Sequence, residues 1–188
     1  MNLLSGDVGG TKTVLAIYSN EKSPKKLFSK YYISNNWDSF ESIFNDFTKH
    51  LPSNISYPKY GCIGVAGPIK DQNVNITNLR WNIDGGKLCS LSEINNIELI
   101  NDFSVLIYGI PYFIDAQYEV IQGILSPELN KNQKLIAIIG AGTGLGMSRG
   151  LITQKAISIF PSEGGHREFA PRTEEEWDFV KWLKKKSN

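Results

Sequence analysis

A layered α/β fold with a mixed sheet is what this 188-residue sequence predicts. Three observations carry the expectation. Apolar content of 41% and charged content of 21% are those of a chain able to bury a sizeable core. Short apolar, β-branched segments alternate with helical ones in the order βββ, α, β, α, β, α. At residue 134 the pattern that opens the chain, a strand, a glycine turn and a strand, begins again, as in an internal structural repeat.

Residues 3–8 and 13–18 are short apolar segments flanking a Gly-Gly-Thr turn, and both read as strands. "KKLFSKYYIS" (25–34) alternates well enough to be a third. In "WDSFESIFNDFTKHL" (37–51), Phe40, Ile43, Phe44 and Phe47 recur at the spacing of one helix face. "KYGCIGVAGPI" (59–69) is a buried strand that runs into a Gly-Pro turn. "SLSEINNIELIND" (90–102) is expected to hold a short helix and then a strand, Ile97–Ile100, and "FSVLIYGI" (103–110) a further helix. In the second half "KLIAIIG" (134–140), "MSRGLIT" and "AISIFP" read as strands. The last segment, "TEEEWDFVKWLKKK" (173–186), carries a capping box (Thr173 with Glu176), acids in its first turn and lysines in its last. At ~100° per residue its five large apolar side chains spread over roughly 220° of the circumference, so this helix is expected to need packing partners on two sides.

Composition excludes several classes. A formal net charge of +1 argues against a nucleic-acid surface and offers no membrane-attracting patch. No apolar run reaches the ~18 residues that would span a bilayer. The first residues lead straight into a strand without a charged n-region, so no secretion signal is expected and the setting is read as cytoplasmic. Cys62 and Cys89 fit reduced, buried thiols, and the sequons at Asn54 and Asn75 read as chance matches. Two histidines and two scattered cysteines cannot build a tetrahedral zinc site.

"SGDVGGTKTVLAIY" (5–18) nearly spells a P-loop, but Thr11 stands where the second glycine belongs, ahead of Lys12 and Thr13. After a P-loop the chain must enter a helix, whereas "TVLAIYS" has strand composition. The motif is therefore strand–turn–strand. Either it is a plain hairpin, or Gly9 and Gly10 let backbone amides approach an anion that Thr11 or Lys12 reaches. "GAGTGLG" (140–146) gives G-x-G-x-x-G in no frame, so the dinucleotide fingerprint is absent. Two glycine/threonine turns opening two similar halves would place a polyphosphate between them.

The motifs "GDVGGTKT" (6–13), "GCIGVAGPI" (61–69), "TNLRWNID" (77–84), "INDF" (100–103), "GAGTGLG" and "EGGH" (163–166) together resemble the bacterial-type glucokinases, of the sugar kinase/hexokinase/actin-like superfamily. The resemblance implies an actin-like ATPase (ribonuclease H-like) fold, and ATP-dependent phosphorylation of glucose on its 6-hydroxyl with Mg²⁺, in a cleft between two α/β domains. It divides the chain into a small domain at 1–109 and the opening part of a larger one at 110–188. Homodimerisation is a further expectation from related enzymes.

Transfer to a sugar hydroxyl needs a group to take its proton. Locally Asp102 reads equally as that base or as a helix N-cap; the resemblance assigns it the base and assigns Asn101 a sugar-binding amide. Glu163 and His166 are spaced so that a glycine turn can present both to vicinal hydroxyls, and the resemblance places both on glucose. Asp7 is expected at the metal–phosphate end, holding Mg²⁺ through water. Gly142, Thr143 and Gly144 would meet the phosphates opposite Gly9, Gly10 and Thr11, while Lys12 either neutralises charge or is solvated. Members of the family are considerably longer, so the chain reads as C-terminally truncated. The alternative to an active enzyme is a remnant that binds sugar or a partner chain.

Overall fold

The computed structural model describes residues 1–76, 78–112, 119–122, 134–142 and 144–186. The first half runs β1 (Asn2–Val8), β2 (Lys12–Ser19), β3 (Lys26–Ile33), α1 (Phe40–Lys49), β4 (Tyr60–Val65), β5 (Asn73–Ile76), β6 (Trp81–Asp84), α2 (Gly85–Ser90), β7 (Asn96–Asn101) and α3 (Asp102–Gly109). It is followed by β8 (Lys134–Ala141), β9 (Leu145–Ile152), β10 (Ile157–Ser162) and α4 (Glu174–Lys186).

The central sheet is mixed, in the order β3-β2-β1-β4-β7. β1, β2 and β3 are joined as antiparallel neighbours, and β4 and β7 add in parallel on the other side of β1. One face of this sheet carries Leu4, Val8, Leu15, Ile17, Ile63 and Val65, and against it α1 buries Phe40, Ile43, Phe44 and Phe47 completely. The start of α1 is fixed by Ser39, whose hydroxyl accepts from the Ser42 N–H at 3.2 Å. The β5–β6 hairpin and α2 extend the same core with Val74, Ile76, Trp81, Ile83 and Leu88. α3 lies on the opposite face, close enough that a Cβ on Gly64 would stand 3.6 Å from Val105 Cγ1.

The second sheet has the order β10-β9-β8 and is antiparallel throughout, so it repeats the β3-β2-β1 arrangement of the first. That is the internal repeat expected from the two glycine turns.

Three elements differ from the sequence expectation. The helix expected after Ser90 lies one turn earlier, because the Asp84 carboxylate accepts from the Lys87 N–H at 2.9 Å and starts α2 at Gly85; residues 91–95 form turns and bends. β5 and β6 were not expected at all, and their alternation is short, with Val74, Ile76, Trp81 and Ile83 inward. Cys62 and Cys89 are unpaired and half-buried, matching the expectation of thiols though not of full burial.

α4 forms with the expected capping box: Thr173 Oγ1 accepts from the Glu176 N–H at 3.2 Å, and Glu176 Oε2 accepts from the Thr173 N–H at 3.2 Å. Trp177, Phe179 and Trp182 all stand more than half exposed, so the apolar face is uncovered. The contrast with α1 is measurable. Phe44→Ala is expected to cost about 3–5 kcal/mol and Phe179→Ala less than about 1 kcal/mol, read from urea unfolding of the two variants beside the wild type.

Candidate active site

The site is organised by the start of α3. Asn101 has extended backbone, and its Oδ1 accepts from the N–H groups of Phe103 and Ser104 at 3.1 and 3.0 Å. Asn101 is therefore the N-cap, and Asp102, the first helical residue, shares only the Phe103 N–H with it. Asp102 Oδ1 accepts from Phe103 N–H at 3.0 Å and from Asn101 Nδ2 at 3.1 Å. The second Asn101 amide hydrogen points to the Gly67 carbonyl at 3.3 Å, on a loop where Gly67 adopts φ +115°. Burial pushes the Asp102 carboxyl above its ordinary range, and the Asp7 and Glu163 carboxylates push the same way, against the Phe103 hydrogen bond. A half-buried carboxylate with a raised pKa is a better proton acceptor.

The first glycine turn is closed by the Gly9 N–H donating to the Lys12 carbonyl at 2.8 Å. It is braced from outside by Ser34, on the short helical turn after β3. Its N–H donates to the Thr11 carbonyl at 3.0 Å and its hydroxyl to the Gly9 carbonyl at 3.0 Å, with Thr13 Oγ1 at 3.1 Å. Ser34 and Thr13 are fully buried. Sequence reasoning missed this brace, since nothing local at Ser34 marks a contact made 21 to 25 residues away.

The second turn is closed by the Gly142 N–H donating to the Gly144 carbonyl at 2.8 Å. Thr143 lies outside the described residues. A Cβ on Gly144 would meet nothing within 4 Å, so the tip is open to a ligand. The outer glycines of this motif do something else. Gly140 and Gly146 face each other across β8 and β9, and both lie against the Phe103 ring.

Glu163 precedes a short helical turn, Gly164–His166, and His166 Nε2 stands 3.4 Å from Glu163 Oε2, with both side chains largely exposed. A side chain at Gly165 would collide with the Leu145 carbonyl, so glycine alone lets this turn lie against β9.

These parts meet in one cleft of about 600 Å³. Gly9, Gly10 and Thr11 line one wall, and Gly142 and Gly144 another; Asn101, Asp102, Glu163 and His166 line the remainder. Asn78 and Phe103 also line it and were not anticipated. Asp7 and Lys12 are exposed and stand outside the lining, although Asp7 is near enough for its charge to act on Asp102. Among the described residues no group of three or more His, Cys, Asp or Glu could hold a metal ion by itself. No helix among them is long and apolar enough to cross a membrane.

The family model described as glucokinase matches residues 4–188. The chain belongs to the glucokinase family. It is 37% identical over 186 residues to a glucokinase of Nostoc sp., an alignment that takes in 96% of this chain and 52% of that protein. It is likewise 37% identical to a glucokinase of Synechocystis sp., over 99% of this chain and 54% of the relative. This glucokinase-family chain thus spans about half the length of the curated relatives it matches. Its fold superimposes on a glucokinase from an Antarctic psychrotroph with a TM-score of 0.78 at 27% identity, covering 98% of this chain and 57% of that one. A ROK family glucokinase from Streptomyces griseus, solved in complex with glucose and AMPPNP, shares the fold with a TM-score of 0.57 at 19% identity, over 91% of this chain and 52% of its own. These neighbours are consistent with the mixed α/β, actin-like fold that the sequence implied.

The raised pKa of Asp102 has a stability consequence. A carboxyl whose folded pKa exceeds its unfolded one holds its proton more firmly when folded, so stability is lost as pH rises from the ordinary value of 3.8 through the raised one. Asp102→Asn, which keeps the Oδ1 acceptor, is therefore expected to be more stable than wild type at neutral pH. The gain should vanish as pH falls to the ordinary carboxylate range, as read by urea unfolding across pH.

Proposed function

We propose that the cleft transfers the γ-phosphoryl group of ATP to the 6-hydroxyl of glucose, giving glucose 6-phosphate and ADP. The observation that carries this reading is the convergence of two open glycine turns, a half-buried carboxylate and a Glu–His pair on one cleft. Family membership supports glucose as the acceptor, and the glucose and AMPPNP held by the Streptomyces griseus protein support the same substrate pair.

In this reading Glu163 accepts from sugar hydroxyls and His166 exchanges hydrogen bonds with their neighbours. The 6-hydroxyl oxygen attacks the γ-phosphorus, the bond to the ADP oxygen breaks, and the hydroxyl proton passes to Asp102. Asn101 keeps the carboxylate aimed through its 3.1 Å hydrogen bond; contact with sugar would replace its longer bond to the Gly67 carbonyl. Amides at the two turn tips receive the phosphates. Asp7 is an exposed carboxylate beside the cleft and outside its lining, which fits an ion that keeps most of its coordination for water and phosphate oxygens. It would hold Mg²⁺ through water, and the bound metal would supply charge neutralisation. Lys12 would add countercharge at the rim.

Residues 1–109 then form the small domain and 110–188 the opening of the larger one, in a cytoplasmic enzyme at the entry to glycolysis, pairing as a homodimer. One observation favours a second reading, sugar or partner binding without turnover: the apolar face of α4 is exposed and available to another surface.

The deciding assay is glucose 6-phosphate formation by the purified chain with Mg-ATP. Turnover is expected to fall about 10²–10⁴-fold in Asp102→Asn. A folded wild type without turnover that still binds glucose would favour the second reading.

A further inference from the structure

The contact between α3 and the second sheet is built from side chains of one helix face and small residues of one sheet face. Phe103, Ser104 and Ile107 lie on the same side of α3. Gly146, Ser148 and Gly150 alternate along β9 and so share a face. The partners match in order. The Phe103 ring lies on Gly140 and Gly146, Ser104 Oγ stands 3.4 Å from Ser148 Oγ, and Ile107 covers Gly150. The fit is tight: a Cβ on Gly140 would come 2.8 Å from Phe103 Cε1, and one on Gly146 would fall within the ring.

Phe103 is also bonded to the base. Its N–H donates both to Asp102 Oδ1 at 3.0 Å and to the Asn101 cap at 3.1 Å. One residue thus holds the carboxylate with its backbone and the β8–β9 hairpin with its ring. That hairpin carries Gly142, two residues from Gly140, and Gly144, two residues from Gly146.

We propose that Phe103 is a positioning residue for phosphoryl transfer: its ring, seated between Gly140 and Gly146, sets the separation between the Asp102 carboxylate and the second phosphate turn. The proposal rests on the function proposed above, in which the attacking oxygen must stand in line with a phosphate gripped by that turn. The size of the ring matters because in-line transfer tolerates little error, with a misplacement of about 1 Å costing ~10²-fold in rate. A smaller side chain leaves room for the hairpin to settle toward α3, and a larger seat residue pushes it away.

The test uses Phe103→Leu in the full chain, with Gly140→Ala, which presses on the ring from the sheet side, as the second variant should the first not fold. Residual dipolar couplings of the backbone amides, which loss of the ring current does not alter, report whether the turns have moved, and titration with inorganic tripolyphosphate reports whether they still grip phosphate together. The expected result is changed Gly142 and Gly144 couplings, unchanged Gly9 and Gly10 couplings, and tripolyphosphate binding weakened ~10-fold. A role confined to stability would lower the urea midpoint and leave both readouts of the folded protein at wild-type values, which overturns the proposal. If wild type itself does not bind tripolyphosphate, the phosphate reading of the turns fails. The Gly142 and Gly144 couplings then decide the seat alone: changed in the variant they support it, unchanged they overturn it.

Discussion

The amides at the start of α3 need acceptors, and the rest of the site depends on which residue supplies them. A helix leaves its first N–H groups without partners in the helix itself. Either Asn101 or Asp102 has the side chain to satisfy them, and a carboxylate committed to the cap would be stabilised in its charged form and turned toward backbone. Asn101 takes both Phe103 and Ser104. Asp102 consequently sits one residue further on, half-buried in the cleft and raised in pKa by that burial. A neutral cap thus takes most of the duty to the helix amides, and leaves its ionisable neighbour only a share of the Phe103 N–H. The cap stands at the end of β7, the edge strand of the central sheet, which pairs in parallel with β4 and buries Ile97 and Leu99 in the core.

The repeat of the β-turn-β unit is one of architecture more than of local chemistry. Both three-stranded arrays run antiparallel with the turn between their first two strands. The first turn is held by a buried serine from the end of its third strand, through hydrogen bonds that fix its carbonyls. The second is held by an aromatic ring from a helix outside its own sheet. The five residues between the outer glycines of "GAGTGLG" bring Gly140 opposite Gly146 at the neck of the hairpin, where a β-carbon on either strand would exclude that ring. The glycines of this motif therefore divide into two that admit a ligand and two that admit Phe103.

Much of the fold was legible because its signals are local. α1 announced itself by four aromatic or aliphatic residues at helical spacing, and all four are fully buried. α4 was legible for a different reason. Its capping box, its end charges, the Lys181–Asp178 pair at 2.9 Å and the stacking of Phe179 on Trp182 all lie within the helix or at its cap. A 13-residue helix is marginal on propensity alone, so these local terms carry unusual weight where tertiary packing contributes little. β5 and β6 were illegible because four-residue strands rich in asparagine oppose the usual strand preferences. They are held by inward Val74, Ile76, Trp81 and Ile83, a tertiary signal. At α2, Gly85 and Gly86 argue against a helix until Asp84 caps it. In the site, the residue types at Asp102, Glu163 and His166 could be read from the motifs, whereas Ser34 and the Phe103 seat exist only once distant segments have met.

Electrostatics constrain what form of polyphosphate the cleft could accept. The Asp102 carboxyl feels both Asp7 and Glu163, so acidic groups surround the point where transfer would occur. Lys12 is exposed outside the lining and His166 is already close to Glu163. Backbone amides at the turn tips and the positive end of α3 supply partial charges, but partial charges do not offset a triphosphate facing three carboxylates. Bare ATP would meet net repulsion here, and repulsion would be greatest at the γ-phosphate, nearest the base. An ATP that enters productively must carry its countercharge with it. In the proposed reading the acidic cleft would favour a magnesium complex over bare ATP, and a bound cation would give Asp7 a countercharge to face.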